Sequence, residues 1–116
     1  FNQLLLSISQ RDFSFIDEEN LHEIFGYFHK HSIKSYLMQN SAISFSVCTD
    51  NDPFRVNPLI EDLQNNFKIL FNANVELITI RHYTPSIAEE FHNTRHVFLE
   101  QKSRHTLQLV VRSADK

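Results

Sequence analysis

A chain of 116 residues with 41% hydrophobic side chains, 11 Phe and no Trp fits one packed domain, or two very small units sharing a core. Its formal charge of -3 argues against an electrostatic nucleic-acid binder, because no basic excess exists to hold phosphates. No apolar run approaches the ~20 residues of a membrane span, so no membrane partner is expected, and the single cysteine, Cys48, excludes an internal disulfide and fits a reducing, cytoplasmic setting.

The chain opens on Phe1, Asn2 and Gln3 without an initiator Met, which reads as a fragment of a longer protein. Residues 4–9 form a first strand, apolar on both faces at its start and so internal. A loop over 10–16 follows, carrying Phe13 and Phe15. The spacing of Leu21, Ile24, Phe25 and Phe28 predicts an amphipathic helix over 18–31 that buries all four. Asp17 is its N-cap, Ile16 and Leu21 form a hydrophobic staple, and the charges at both ends suit the macrodipole. Gly26, the chain's only glycine, costs about 1 kcal/mol in a helix interior, so close approach to a strand is its expected use. After Ser32 the period changes to two, and strands are expected over 33–40 and 42–49. Tyr36 and Met38 fall on one face of the first, Ser35 and Leu37 on the other. Apolar groups on both faces call for cover on the helix-free side by a neighbouring domain or subunit.

Residues 50–53 (DNDP) read as a turn, and Asn57-Pro58 as the start of a second helix with Leu59, Ile60 and Leu63 in its stripe. Phe67, Ile69 and Phe71 alternate as a fourth strand. The order β-α-β-β-α-β is then complete at Asn72, a ferredoxin-like unit. Asn72-Ala73-Asn74 reads as a turn into a strand over 75–82. Thr84-Pro85 caps one or two short helical turns, and a hairpin is expected over 95–112. The fold class is therefore α+β, a two-layer sandwich: a ferredoxin-like unit over 1–72 and a β-rich, abbreviated second unit over 73–116, with joined sheets and both long helices on one face.

Chemistry-bearing residues are sparse. Seven histidines are present, but none forms H-E-x-x-H and no Cys pair supports a metal site. Cys48 alternates with Val47 on a strand and reads as a buried structural thiol. Glu18-Glu19 and Glu89-Glu90 splay apart on helices. One glycine cannot make a phosphate-cradling loop. The third strand lacks the basic, glycine-flanked aromatics of an RNA-binding sheet. The chain's own residues point to no catalytic site, metal or cofactor.

Ile24-Phe25-Gly26 is followed by His31-Ser32-Ile33, Leu37-Met38 and the run NSAISFSVCTD over 40–50. This succession resembles, without a gap, the regulatory ACT domains at the C-terminus of aspartate kinases: a helix ending V-F-G/x-I, a strand S-V-D-L-I, then T-S-E-V-S-V-S-L-T-L-D. The resemblance implies two fused ACT units, the second here abbreviated. It implies amino-acid-sensing control, by lysine or threonine, of an upstream kinase domain that phosphorylates aspartate on the pathway to lysine, threonine and methionine. A homodimer through the ACT units is expected; the alternative is a dimerisation module without effector. The family's effector positions fall on Ser14, Phe15, Ile16 and Asp17 in the first loop, on Ser35, Tyr36 and Leu37 in the second strand, and on Asn40 and Ser41 beyond it. There the loop would offer backbone N–H groups to a carboxylate and the strand its backbone to an α-amino group. Tyr36 and Ala42 stand where lysine-sensitive members carry Asp and Glu.

Overall fold

Among the described residues six antiparallel strands form one sheet in the order β2-β3-β1-β4-β6-β5. They are β1 (Gln3–Gln10), β2 (Ser35–Asn40), β3 (Ser44–Asp50), β4 (Phe67–Arg81), β5 (Val97–Lys102) and β6 (Thr106–Arg112), with helices α1 (Glu18–Lys30), α2 (Pro53–Gln64) and α3 (Pro85–Thr94) between them. The computed structural model describes residues 3–113. Phe1 and Lys116, the expected outer limits of the two units, lie outside the described residues. The first four strands with α1 and α2 make the expected β-α-β-β-α-β unit, and no helix among the described residues is long and apolar enough to cross a membrane.

The α1 stripe buries Ile24 and Phe28 against Leu4, Leu6 and Ile8 of β1 and Phe45 and Val47 of β3, with Leu21 packed beside them. Asp17 caps α1, accepting from the N–H of Asn20, whose side chain accepts from the N–H of Asp17 in return. This reciprocal box fixes the helix start. At the other end Ser32 N–H donates to His29 O and Ile33 N–H to Phe28 O, a Schellman closure with Ser32 at φ 55. Two expectations about α1 need correction. Phe25 is 41% exposed and meets the core only edge-on, its ring 5.3 Å from that of Phe45. A Cβ on Gly26 would meet nothing within 4 Å, so no close approach explains that glycine.

Helix α2 begins earlier than the Asn57-Pro58 reading. Asp52 is the N-cap, accepting from Phe54 N–H, and Pro53 takes the first helical position, which leaves Pro58 inside the helix. The earlier start brings Val56 into register with Leu59 and Leu63, three buried residues instead of two. Strand β4 also departs from expectation. It runs through Asn72–Asn74 without a turn, absorbing the polar residues at a register shift opposite Gln3 and Leu5, where Asn74 N–H donates to Asn72 Oδ1 at 2.9 Å. Helix α3 is a ten-residue element rather than one or two turns, and it packs Ala88 over Leu107, Leu109 and Val111.

The sheet curls. Its helix-free side closes on itself, with Leu37 and Cys48 of the first four strands packed against Val75, Leu99 and Val110, and Leu5, Leu77 and Phe98 beside them. The outer strands meet where Gln101 Nε2 donates to Met38 O at 3.3 Å. The cover that the apolar β2 calls for is thus supplied by β5 and β6 of the same chain.

Candidate functional site

The loop between β1 and α1 is held open by a left-handed Phe13 (φ 58), over whose ring the Lys68 ammonium lies at 4.7 Å. Beyond it Ser14 N–H donates to Asp12 Oδ1 at 3.1 Å, and hydrogen bonding from the Ser14 side chain, then from this N–H, holds the Asp12 carboxyl below its ordinary value. Phe15 is 72% exposed, and its carbonyl accepts from Gln10 Nε2. Ile16 is buried, and its N–H donates to Ala42 O at 2.9 Å, which ties the loop to the β2–β3 turn. Ser41 closes that turn with its N–H to Ser44 O and its Oγ 2.8 Å from Ser44 Oγ. Asn40, paired with Phe45, is exposed beside it. One end of the sheet therefore gathers Ser14, Phe15, Ile16, Asp17, Asn40 and Ser41.

The other three expected residues lie elsewhere. Ser35 pairs with Thr49, and Tyr36 Oη donates to Asp50 Oδ2 at 2.9 Å; that bond, with some burial, raises the Tyr36 phenol above its ordinary value. Leu37 points into the closed apolar interior. Asn40 is about 17 Å along the strand from Ser35, at about 3.4 Å per residue, too far for one amino acid to span. At the loop end the N–H groups of Ser14, Ile16 and Asp17 are engaged, and Asp17, Glu18 and Glu19 gather negative charge. The mouth suits an ammonium better than a carboxylate.

At the Tyr36 end a small open hollow lies between the α1–β2 connection, the end of β3 and the start of α2, lined by Ser32, Lys34, Asp50, Asp52 and Arg55 among others. Arg55 Nη1 donates to Ser32 O at 3.2 Å, and its Nε stands 3.7 Å from Asp52 Oδ2. Asp50 accepts from Gln3 Nε2 as well as from Tyr36. In the sequence Asp50 and Asp52 carry only a turn signal, and nothing local brings Lys34 to them. Cys48, next to Asp50, donates to Gln3 Oε1 at 3.3 Å; burial, then the Asp50 charge, pushes its thiol up to about 11, an inert group.

No protein-family model matches the chain, and no curated protein sequence does. Solved structures do. The chain is similar to Escherichia coli aspartokinase III in complex with lysine and aspartate, with TM-score 0.75 and 17% identity over 96% of this chain and 28% of that one. It is similar to the aspartate kinase of Clostridium acetobutylicum, with TM-score 0.76 and 12% identity over 97% of this chain and 29% of that one. It is also similar to the ligand-free regulatory subunit of aspartate kinase from Thermus thermophilus, with TM-score 0.71 and 8% identity over 97% of this chain and 83% of that one. The chain thus spans under a third of the whole kinases and most of the regulatory subunit. At these identities the likeness is one of fold: over nearly its whole length this chain has the fold of an aspartate kinase regulatory region.

Proposed function

We propose that the chain is the ACT-type regulatory region of an aspartate kinase, two units over 1–72 and 73–116 that carry no catalysis themselves. The observation that supports this is the likeness, from first strand to last, to the regulatory subunits of two Thermus aspartate kinases, 83% of whose length this chain covers. In this reading an amino acid of the aspartate family, lysine or threonine, binds the chain in the cytoplasm. Its binding energy then reorients an attached kinase domain. A homodimer through the loop end supplies the lever. Phe13, Phe15 and Ile43 stand 53%, 72% and 44% exposed around the Ile16–Ala42 bond, an apolar patch that a second copy would cover.

A thermal-shift panel of lysine, threonine and methionine tests the reading. An effector at 100 times its dissociation constant adds about 2.7 kcal/mol, and sedimentation with the same panel reports the dimer. No shift with any amino acid, together with a stable dimer, favours the second reading, an ACT-like dimerisation module without effector. The engaged N–H groups of Ser14, Ile16 and Asp17 speak for that alternative.

A further inference from the structure

We propose that the hollow between the α1–β2 connection and the start of α2 binds a small zwitterion, a free α-amino acid with a short side chain. Two charges there lack an opposite partner. The Asp50 carboxylate is held by two neutral donors, Gln3 Nε2 at 3.2 Å and Tyr36 Oη at 2.9 Å, and enters no ion pair among the described residues. The Lys34 ammonium lies 5.2 Å over the Tyr36 ring and likewise enters none. Both groups line the same hollow, so their fields meet in it without cancelling through a contact. Arg55 adds a guanidinium whose carboxylate neighbour, Asp52, is 3.7 Å away, longer than a hydrogen-bonded pair.

A lone anion would face Asp50 there and a lone cation would face Lys34 and Arg55. A molecule carrying both charges a few bonds apart answers each at once. Its carboxylate meets Lys34 and Arg55, and its ammonium meets Asp50. The hollow is small and open to solvent, so a bound amino acid would rest at its mouth with a short side chain pointing outward. The six-residue strand β2 separates this place from the loop end, so the two do not form one pocket. The inference rests on reading the chain as an amino-acid-responsive region and assigns that response a second address.

The test is an amide-resolved NMR titration of the full chain with glycine and L-alanine, with acetate and methylammonium as single-charge controls. The expected result is saturable shifts at Ser32, Lys34 and Arg55 with the two amino acids and none that saturate with either control. Asp50→Asn and Arg55→Ala should each weaken binding at least tenfold. Lys34→Ala, at an exposed position, gives the same result if either of those variants fails to fold. Saturable shifts confined to 14–17 and 40–41 would overturn this site and leave the regulatory reading standing. Acetate saturating as tightly as glycine would make it a simple anion site and overturn the zwitterion. No saturable shift with glycine, alanine, lysine or threonine anywhere would remove both.

Discussion

Ser32 holds a backbone conformation that L-residues resist. Its φ of 55 closes α1, a position where glycine carries no Cβ penalty, while the one glycine of the chain sits at Gly26 on the exposed side of the same helix. The two residues stand in each other's preferred places. Ser32→Gly should raise stability by about 0.5–1 kcal/mol, the left-handed cost being partly offset by the freedom glycine adds to the unfolded chain. Gly26→Ala should raise it by about 1 kcal/mol, since the added methyl meets open space. Urea midpoints that rise at unchanged slope check both, and a fall in either refutes its placement. The α1 cap is legible in sequence because Asp17 is a strong local signal; the Schellman closure is not, because Ser at that position carries no such mark. Of the positions expected from the resemblance to hold an effector, the loop and turn residues do come together, through a backbone bond from Ile16 that no side-chain pattern encodes.

Elements are tied to one another by histidine–carboxylate pairs. Lys30 and His31 at the end of α1 reach Asp62 of α2 at 3.1 and 2.6 Å, and His92 of α3 reaches Glu100 of β5 at 2.5 Å. The hydrogen bond from His31, then that from Lys30, holds the Asp62 carboxyl below its ordinary 3.8. The bond from His92, with help from Lys102, holds Glu100 below its ordinary 4.5. A carboxyl depressed in the folded state adds stability that is fully present above its unfolded value and is lost as pH falls through the lower folded one. Denaturation midpoints should therefore drop from about pH 4.5 downward, and Asp62→Asn with Glu100→Gln should flatten that acid limb. An unchanged limb in the double variant would show the pairs to be idle. At this scale periodicity finds α1, β1 and β3 readily. It misplaces the start of α2 because Asp52-Pro53 and Asn57-Pro58 are rival cap-and-proline signals, and only the burial of Val56 decides between them.

For the whole molecule the decisive contacts are between residues far apart in the chain. Leu37 with Leu99, and Met38 O with Gln101, close the curl, and no local pattern in β2 or β5 announces the other. The sequence shows that β2 needs cover; it is silent on the fact that the cover comes from the same chain. Strand β4 pairs with β1 through its first half and with β6 through its second, and Val75 is paired on both edges. It is a single beam built into two walls. Opening either wall exposes amides of the same strand, so hydrogen exchange should find one cooperative opening unit rather than two. Amides on both sides of the Asn72–Asn74 register shift should show the same opening free energy and the same response to denaturant. Two distinct values along β4 would mean that the walls come down separately. If they come down together, a disturbance felt at β1 is carried to β6 by the stiffness of one covalent strand, with no relay of side chains between them.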